Sequence, residues 1–507
     1  MKKLLCLLLC ACLLTGCAVT PGAYTPTGDG LSADGTIATA PTQPQQEQQH
    51  FTLAYHQEEG TNPLLGIGYV NRTVASLVYQ GLFSVNRNYE AEPVLCRKYS
   101  VSDDMTTYTF YLADATFSDG SKVTATDVLA SLQFAQESKY YGGRFTHISS
   151  MEITEGDGVT IRLSCSYENL PLLLDIPILK ASQLQMPFPM GTGPYELART
   201  NTGMSLHLRN NWWCSTVLPV DAVSIPLVHC DNTVDIRDGF EYEDVGLTCA
   251  DPGSSTYADY HCDYELWECE TGLFLYLACH QFSEVFGEIT VRQALLRAID
   301  RDAIVEEHFR GFARPTSLPV SPASPWYSAA LAKRASYDAT ALSQALSELN
   351  LTGSSVVLLV NGGDTIRLQT ARTIAQVLTD AGLVVELKAL KGSAYTNAIY
   401  NGNYDLYLGQ TKLSPNMDLT GFYHPYGELS YGGISDAAAY TLCKQALENG
   451  GNYYDLCQVA MQDAMLCPIL FRTYAIYAKR GLMHNLAPAR DNVFYYSLGR
   501  SLADAKQ

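Results

Sequence analysis

Over residues 107–132 the spacing of apolar side chains switches from two residues to between three and four. A chain that does this repeatedly must build sheets with helices packed on them. Tyr108, Phe110 and Leu112 alternate with Thr107, Thr109 and Tyr111, the pattern of a half-buried strand. The strand is expected to run on towards Phe117 and the turn Ser118-Asp119-Gly120. Thr124 can then cap a helix, Asp127 places its charge at that helix's N-terminus, and Val128, Leu129 and Leu132 supply the buried face. The pairing recurs. Phe51 to Tyr55 alternates as a strand, Thr61-Asn62-Pro63-Leu64-Leu65 makes a turn, and Val70, Val74, Leu77 and Val78 form a helical stripe that Gly81 is expected to cap. Gln369 to Asp380, Gly382 and Val384 to Leu387 read as helix, cap and strand of an α/β domain.

With 507 residues, 47% of them hydrophobic, the chain is long enough for two or three cores. The apolar run Leu4 to Leu14, preceded by Lys2 and Lys3, is too short to span a bilayer and reads as the core of a signal peptide. It ends in Leu14-Thr15-Gly16-Cys17, which resembles the bacterial lipobox, so Cys17 is the expected lipidation site and mature N-terminus. Residues 18–49, rich in proline, glycine and glutamine, read as a flexible tether. No later stretch is long and apolar enough to span a membrane. A formal net charge of −19 argues against nucleic acid and against electrostatic docking on anionic lipid. The expected location is extracytoplasmic, anchored to the cell membrane by lipid.

Of fifteen cysteines, eleven follow Cys17, and six of these lie from Cys214 to Cys279. In an oxidising compartment that permits disulfides without establishing any. His261, Cys262, Cys269, Cys279 and His280 are metal-ligand types, but no CxxC spacing joins them, and neither a metal nor a cofactor is expected. Asp103, Asp104 and Asp119 read as turn or capping groups rather than a cation site. The motifs Gly-x-Ser-x-Gly and His-Glu-x-x-His and a phosphate loop are missing, and the ten histidines show no catalytic spacing, so the chain does not read as an enzyme.

Val101-Ser102-Asp103-Asp104-Met105-Thr106-Thr107-Tyr108-Thr109-Phe110, Phe117-Ser118-Asp119-Gly120 and Val123-Thr124-Ala125-Thr126-Asp127-Val128 resemble the signature of family 5 extracellular solute-binding proteins. That family includes the dipeptide-, oligopeptide- and nickel-binding components of ABC importers. The resemblance continues in order. Gly191-Thr192-Gly193-Pro194-Tyr195 is similar to the family's GTGPY turn, where the glycines are expected to supply positive φ. Asn210-Asn211-Trp212-Trp213, the helix from Val291-Arg292-Gln293-Ala294-Leu295 to Ala298-Ile299-Asp300-Arg301, and Gly402-Asn403-Tyr404-Asp405-Leu406 follow. The resemblance implies a two-lobed α/β fold of the periplasmic-binding-protein type, class II, with three domains of mixed sheets flanked by helices and a hinge between the lobes. Domain I would comprise residues 50–82, 187–260 and 478–507, domain II residues 83–186, and domain III residues 261–477. It further implies a monomeric protein that closes on a small-molecule or peptide ligand and delivers it to the permease subunits of an ABC importer. A sensory protein that presents its ligand to a receptor, and a secreted hydrolase, are the alternatives.

One departure bears on the ligand. Peptide-binding members of the family carry a Gly-Trp-x-x-Asp segment whose aspartate pairs with the peptide's amino terminus. Here the segment is Gly409-Gln410-Thr411-Lys412-Leu413-Ser414-Pro415-Asn416-Met417-Asp418. Gln410 takes the tryptophan position, and Leu413 or Asn416 the aspartate position. A buried ammonium needs a countercharge, so either Asp418 or Glu58 and Glu59 serve, or the ligand is not an ordinary peptide. Asp418 can equally cap the helix after it, and Lys412 either meets an anionic ligand or points into solvent. Tyr404, Tyr407, Tyr423 and Tyr431 are further candidate contacts.

Overall fold

Eleven strands join in one mixed sheet. In spatial order it runs Val384–Leu390, Ser355–Asn361, Leu406–Lys412, Glu265–Cys279, Leu466–Ala478, Leu247–Ala250, Leu53–Tyr55, Ser224–His229, Gly203–Leu208 and Tyr195–Thr200, with Ala313–Pro315 branching from Leu466–Ala478. This is a computed structural model of the protein, and it describes residues 51–200, 203–242 and 244–506. The expected signal peptide, Cys17 and the tether lie outside the described residues. Among the described residues no helix is long and apolar enough to cross a membrane.

Two large apolar cores flank the middle of the sheet. One gathers Phe274, Leu358, Leu406, Phe422 and Leu470; the other gathers Leu53, Val74, Phe110, Phe117, Leu206 and Ile476. Among the described residues, two long antiparallel strands, Glu265–Cys279 and Leu466–Ala478, contribute to both cores: Phe274 and Leu470 pack in the first, Cys269 and Ile476 in the second. Between these portions the register slips from Glu270 to Phe274, around Gly272 at φ +69°. That bulge bends the ladder where it passes from one core to the other. A separate antiparallel sheet of four strands, in the order Cys96–Val101, Thr107–Leu112, Gly158–Leu163 and Ile148–Thr154, packs in the second core.

The strand Thr107–Leu112 alternates buried and half-buried residues as expected, but it stops at Leu112, and Phe117 instead closes a turn by donating its amide to Ser121 O at 2.9 Å. The helix Ala125–Gln136 starts with a reciprocal capping box: Thr124 Oγ1 accepts the Asp127 amide, and Asp127 Oδ2 accepts the Thr124 amide at 3.0 Å. Two orphan donors of the first turn are thereby satisfied. The helix Tyr69–Val78 buries Val74 and Leu77 completely, worth about 1.5–3 kcal/mol each.

Gly81 does not cap that helix, which ends on an extended Tyr79. A Cβ at Gly81 would lie 2.8 Å from the Asp175 carbonyl carbon, so glycine is needed there for close approach. The same correction applies to the GTGPY segment, where neither Gly191 nor Gly193 has positive φ. A Cβ on Gly191 would lie 2.0 Å from Val78 O, and one on Gly193 2.5 Å from Leu77 O. Both glycines let their loop sit directly on the end of the helix Tyr69–Val78. Gly382, at φ +106°, does follow the helix Thr365–Asp380, which leads into the parallel strand Val384–Leu390. The stretch from Val291 to Arg301 is not one helix: Ile289–Ala298 ends there, and Asp300 caps a second helix, Arg301–Phe309.

Candidate functional site

Where the two cores meet, charged side chains from distant parts of the chain converge. The helix Tyr69–Val78 brings Arg72, the segment after Ala125–Gln136 brings Tyr140, Tyr141 and Arg144, and the C-terminal segment brings Arg490, Asp491 and Asn492. Together with Asp175 they line a cavity open to solvent. Lys412, at the end of the strand Leu406–Lys412, reaches this cluster from the first core. Its Nζ donates to both carboxylate oxygens of Asp491 at 2.7 and 2.9 Å and to Thr271 O, and stands 4.4 Å above the Tyr140 ring. Its side chain is only 17% exposed.

The bulge makes room for this arrangement. Thr271 O, turned out of the ladder, accepts from Lys412, and a Cβ at Gly272 would lie 2.0 Å from Arg490 Nη2. Arg490 donates to Leu413 O, and Asp491, at φ +58°, is held by its amide to Glu270 O at 2.8 Å. Burial pushes Lys412 down, and Arg490 and Arg72 repel its charge; attraction to Asp491 only partly offsets this, leaving its pKa at about 7. Asp491 would be raised by burial, but Lys412, Arg490 and Arg72 hold its carboxyl below the usual range. Beside the cluster, Arg472 makes a two-pronged pair with Asp251 at 2.7 and 2.8 Å and donates to Gln410 Oε1 at 3.2 Å.

A second polar contact links the two cores. Asp418 Oδ2 stands 2.9 Å from His147 Nε2, and Asp418 Oδ1 accepts the Thr420 amide at 2.8 Å. His147 precedes the edge strand Ile148–Thr154 of the four-stranded sheet, whereas Asp418 follows Leu406–Lys412. Burial alone would depress His147; the hydrogen bond and charge of Asp418, with Cys165 beside it, raise it to about 10. Asp418, which burial would raise, is lowered by His147 and by Thr420.

The six polar ligand candidates singled out in the sequence therefore fall into three places. Gln410 and Lys412 belong to the charged junction, and Lys412 points into an ion pair rather than into solvent. Asn416 and Asp418 lie around the His147 contact: Asn416 is 3% exposed, accepts from Ser414 Oγ at 2.7 Å and offers its carbonyl to Tyr453. Glu58 and Glu59 are exposed and join neither group; Glu59 accepts the Gly68 amide at 2.8 Å, at the start of the helix Tyr69–Val78. Tyr404, Tyr407 and Tyr423 are buried in the first core, and Tyr431 is half-buried against it. The eleven cysteines from Cys96 to Cys467 are all free thiols. His261 pairs with Glu241, while Cys269 and Cys279 are buried on the long strand. Asp104 accepts from Ser102 and Thr106, and Asp119 pairs with Lys180, as turn groups.

Arg72, Tyr140, Arg144, Arg490 and Asp491 were not singled out in the sequence. Only Arg72 left a signal: a cation beside the apolar stripe of Val70 and Val74.

The chain matches the family model described as bacterial extracellular solute-binding proteins, family 5 Middle, over residues 90–432, more than half of its length. It is 26% identical over 270 residues to the glutathione-binding protein GsiB of Escherichia coli K12, a match covering 50% of this chain and 52% of that protein. The chain thus spans about half the length of the curated relatives it matches. Among solved structures, the nickel ABC transporter protein of Bacillus halodurans superposes with a TM-score of 0.71 at 16% identity, covering 89% of this chain and 98% of that one. The oligopeptide-binding protein AppA of Bacillus subtilis, in complex with a nonapeptide, superposes with a TM-score of 0.61 at 18% identity, covering 87% and 97%.

Proposed function

Because this chain belongs to the bacterial extracellular solute-binding proteins of family 5, we propose that it captures a small ligand, a peptide, between its two lobes and delivers it to the permease subunits of an ABC importer. Proteins of this family act outside the cytoplasm. Within that setting we read Cys17 as the lipid-bearing residue that holds a monomeric protein at the membrane surface. The lobes follow the division into domain I (50–82, 187–260 and 478–507), domain II (83–186) and domain III (261–477).

The observation that carries the reading is the charged cavity at the junction of the two cores. Its walls come from domains I and II, and domain III meets them through Lys412, which bonds Asp491, and Leu413 O, which accepts from Arg490. A ligand seated there that also reaches the domain III side binds the closed arrangement better than the open one and shifts the population towards it. That difference lets a permease tell loaded protein from empty. The peptide reading is supported by the glutathione-binding relative, glutathione being a tripeptide, and by the nonapeptide held by the Bacillus subtilis protein.

Native mass spectrometry of the freshly purified protein, followed by thermal shift of the ligand-stripped protein with peptide pools, tests the proposal. A ligand at a hundredfold excess over Kd stabilises the folded state by about 2.7 kcal/mol. If nothing co-purifies and no peptide shifts the transition of a well-folded protein, the proposal fails.

A further inference from the structure

The balance of charge in this cavity says which end of a ligand it takes. Its wall carries three guanidiniums, Arg72, Arg144 and Arg490, and two carboxylates, Asp175 and Asp491. Both carboxylates already face a cation: Asp491 takes Lys412 through both of its oxygens, and Asp175 is ion-paired with Arg144, its Oδ1 having no hydrogen-bond partner. Elsewhere at the junction Asp418 is taken by His147 and Asp251 by Arg472. Among the described residues no acidic side chain of this cluster is left over to meet an ammonium group.

The cations are in surplus. Arg72 donates through Nη2 to Ile67 O at 2.8 Å and lies flat against the Tyr140 ring at 3.6 Å, but its buried Nη1 has no hydrogen-bond partner. Arg490 is 4% exposed, and its Nη1 also has none. The Tyr140 hydroxyl, a further donor on the same wall, is likewise buried and unpartnered. A buried guanidinium with an unused donor carries a desolvation cost of several kcal/mol that an anion would remove. A planar carboxylate suits it better than other anions, because its two oxygens match the guanidinium fork.

Resting on the solute-binding reading above, we infer that this cavity recognises its ligand through a carboxylate, held by Arg72 Nη1 with Arg490 Nη1 and the Tyr140 hydroxyl, and does not recognise a free amino terminus. The missing aspartate near Gln410 and Asn416 and the surplus of guanidinium donors are then two sides of one specificity. Lys412 gives an independent readout. Burial and the repulsion of Arg490 and Arg72 hold it near pH 7, so a carboxylate arriving beside these arginines raises its affinity for a proton.

The test uses ligand-stripped protein, isothermal calorimetry and two pools. One contains N-acetyl dipeptides with a free C-terminal carboxylate; the other contains dipeptide amides with a free amino terminus. The acetylated acids bind and the amides do not. At pH 8, acid binding takes up protons, seen as a difference in heat between buffers of different ionisation enthalpy. Arg72→Gln weakens acid binding at least tenfold, and Arg72→Lys weakens it less, with both variants keeping the wild-type melting transition. If Arg72→Gln does not fold, Tyr140→Phe serves in its place, with a loss of about threefold or more.

Amides binding as well as the acids, or unchanged acid affinity in a folded Arg72→Gln, overturns the inference and leaves the solute-binding reading standing. Inorganic phosphate binding as tightly as the acids overturns the choice of carboxylate. Binding of neither pool overturns both the inference and the peptide reading.

Discussion

Asp418→Asn removes a charge from the junction between the cores while keeping the side chain's size. His147 rises from 6.5 to about 10 on folding, because the hydrogen bond and charge of Asp418, with Cys165 adding to them, overcome the effect of burial. At about 1.4 kcal/mol per pKa unit, the shift is worth about 5 kcal/mol where the unfolded imidazole is also charged, and about 3 kcal/mol at pH 7.5, where it is mostly neutral. Loss of one partner from a buried pair costs about 3–5 kcal/mol, in line with this; both side chains are about nine-tenths buried, 12% and 10% exposed. The downward shift of Asp418 reports the same interaction and is not added to it. Because the folded pKa of the histidine is raised, its contribution is complete below 6.5 and drains away as the pH rises through about 10. At the acid end it is lost only as the pH falls through the depressed value of Asp418, which lies below 3.8. Urea unfolding of wild type and Asp418→Asn at pH 5.5, 7.5 and 10.5 reads this directly. The variant is expected to lose about 3–5 kcal/mol at the two lower values and almost nothing at the highest. An equal loss at pH 10.5, or none at pH 7.5, would refute the assignment of a charged His147.

Gly191→Ala places a methyl group 2.0 Å from Val78 O, and expression with thermal unfolding should show a loss of several kcal/mol or no folded protein, as severe backbone overlap demands. Thr124→Ala removes half of a capping box and should lower stability by about 1 kcal/mol in the same assay, with ligand binding intact. Cys17→Ala should release the protein from the membrane fraction or leave uncleaved precursor; acyl label that persists on the variant would disprove lipidation at that residue.

What could be read from the sequence divides by the range of the interaction. The capping box of Thr124 and Asp127 was legible because both partners lie within one helical turn. The alternation from Thr107 to Leu112 was legible because each strand residue reports its own face. The role of Gly191 and Gly193 was misjudged, since their need is set by Val78, more than a hundred residues earlier, and the two glycines themselves carry no sign of it. Lys412 was left between an anionic ligand and solvent for the same reason: its partner Asp491 follows 79 residues later. Asp418 was recognised as either a cap or a countercharge, and it bonds both the Thr420 amide and His147, a residue 271 positions away. Arg72 and Arg490 belong to no motif, and only the folded chain brings them to one wall.

The two strands Glu265–Cys279 and Leu466–Ala478 also limit how this molecule can move. Lobes joined by a single flexible linker can swivel and twist freely. A hydrogen-bonded pair of strands resists twist and shear, and leaves bending across the ladder as the soft degree of freedom. The slip at Glu270 to Phe274 fixes where that bend falls, next to the carbonyl that holds Lys412 and the glycine that admits Arg490. Bending at that point changes the spacing between Lys412 and its partner Asp491, and between Leu413 and Arg490.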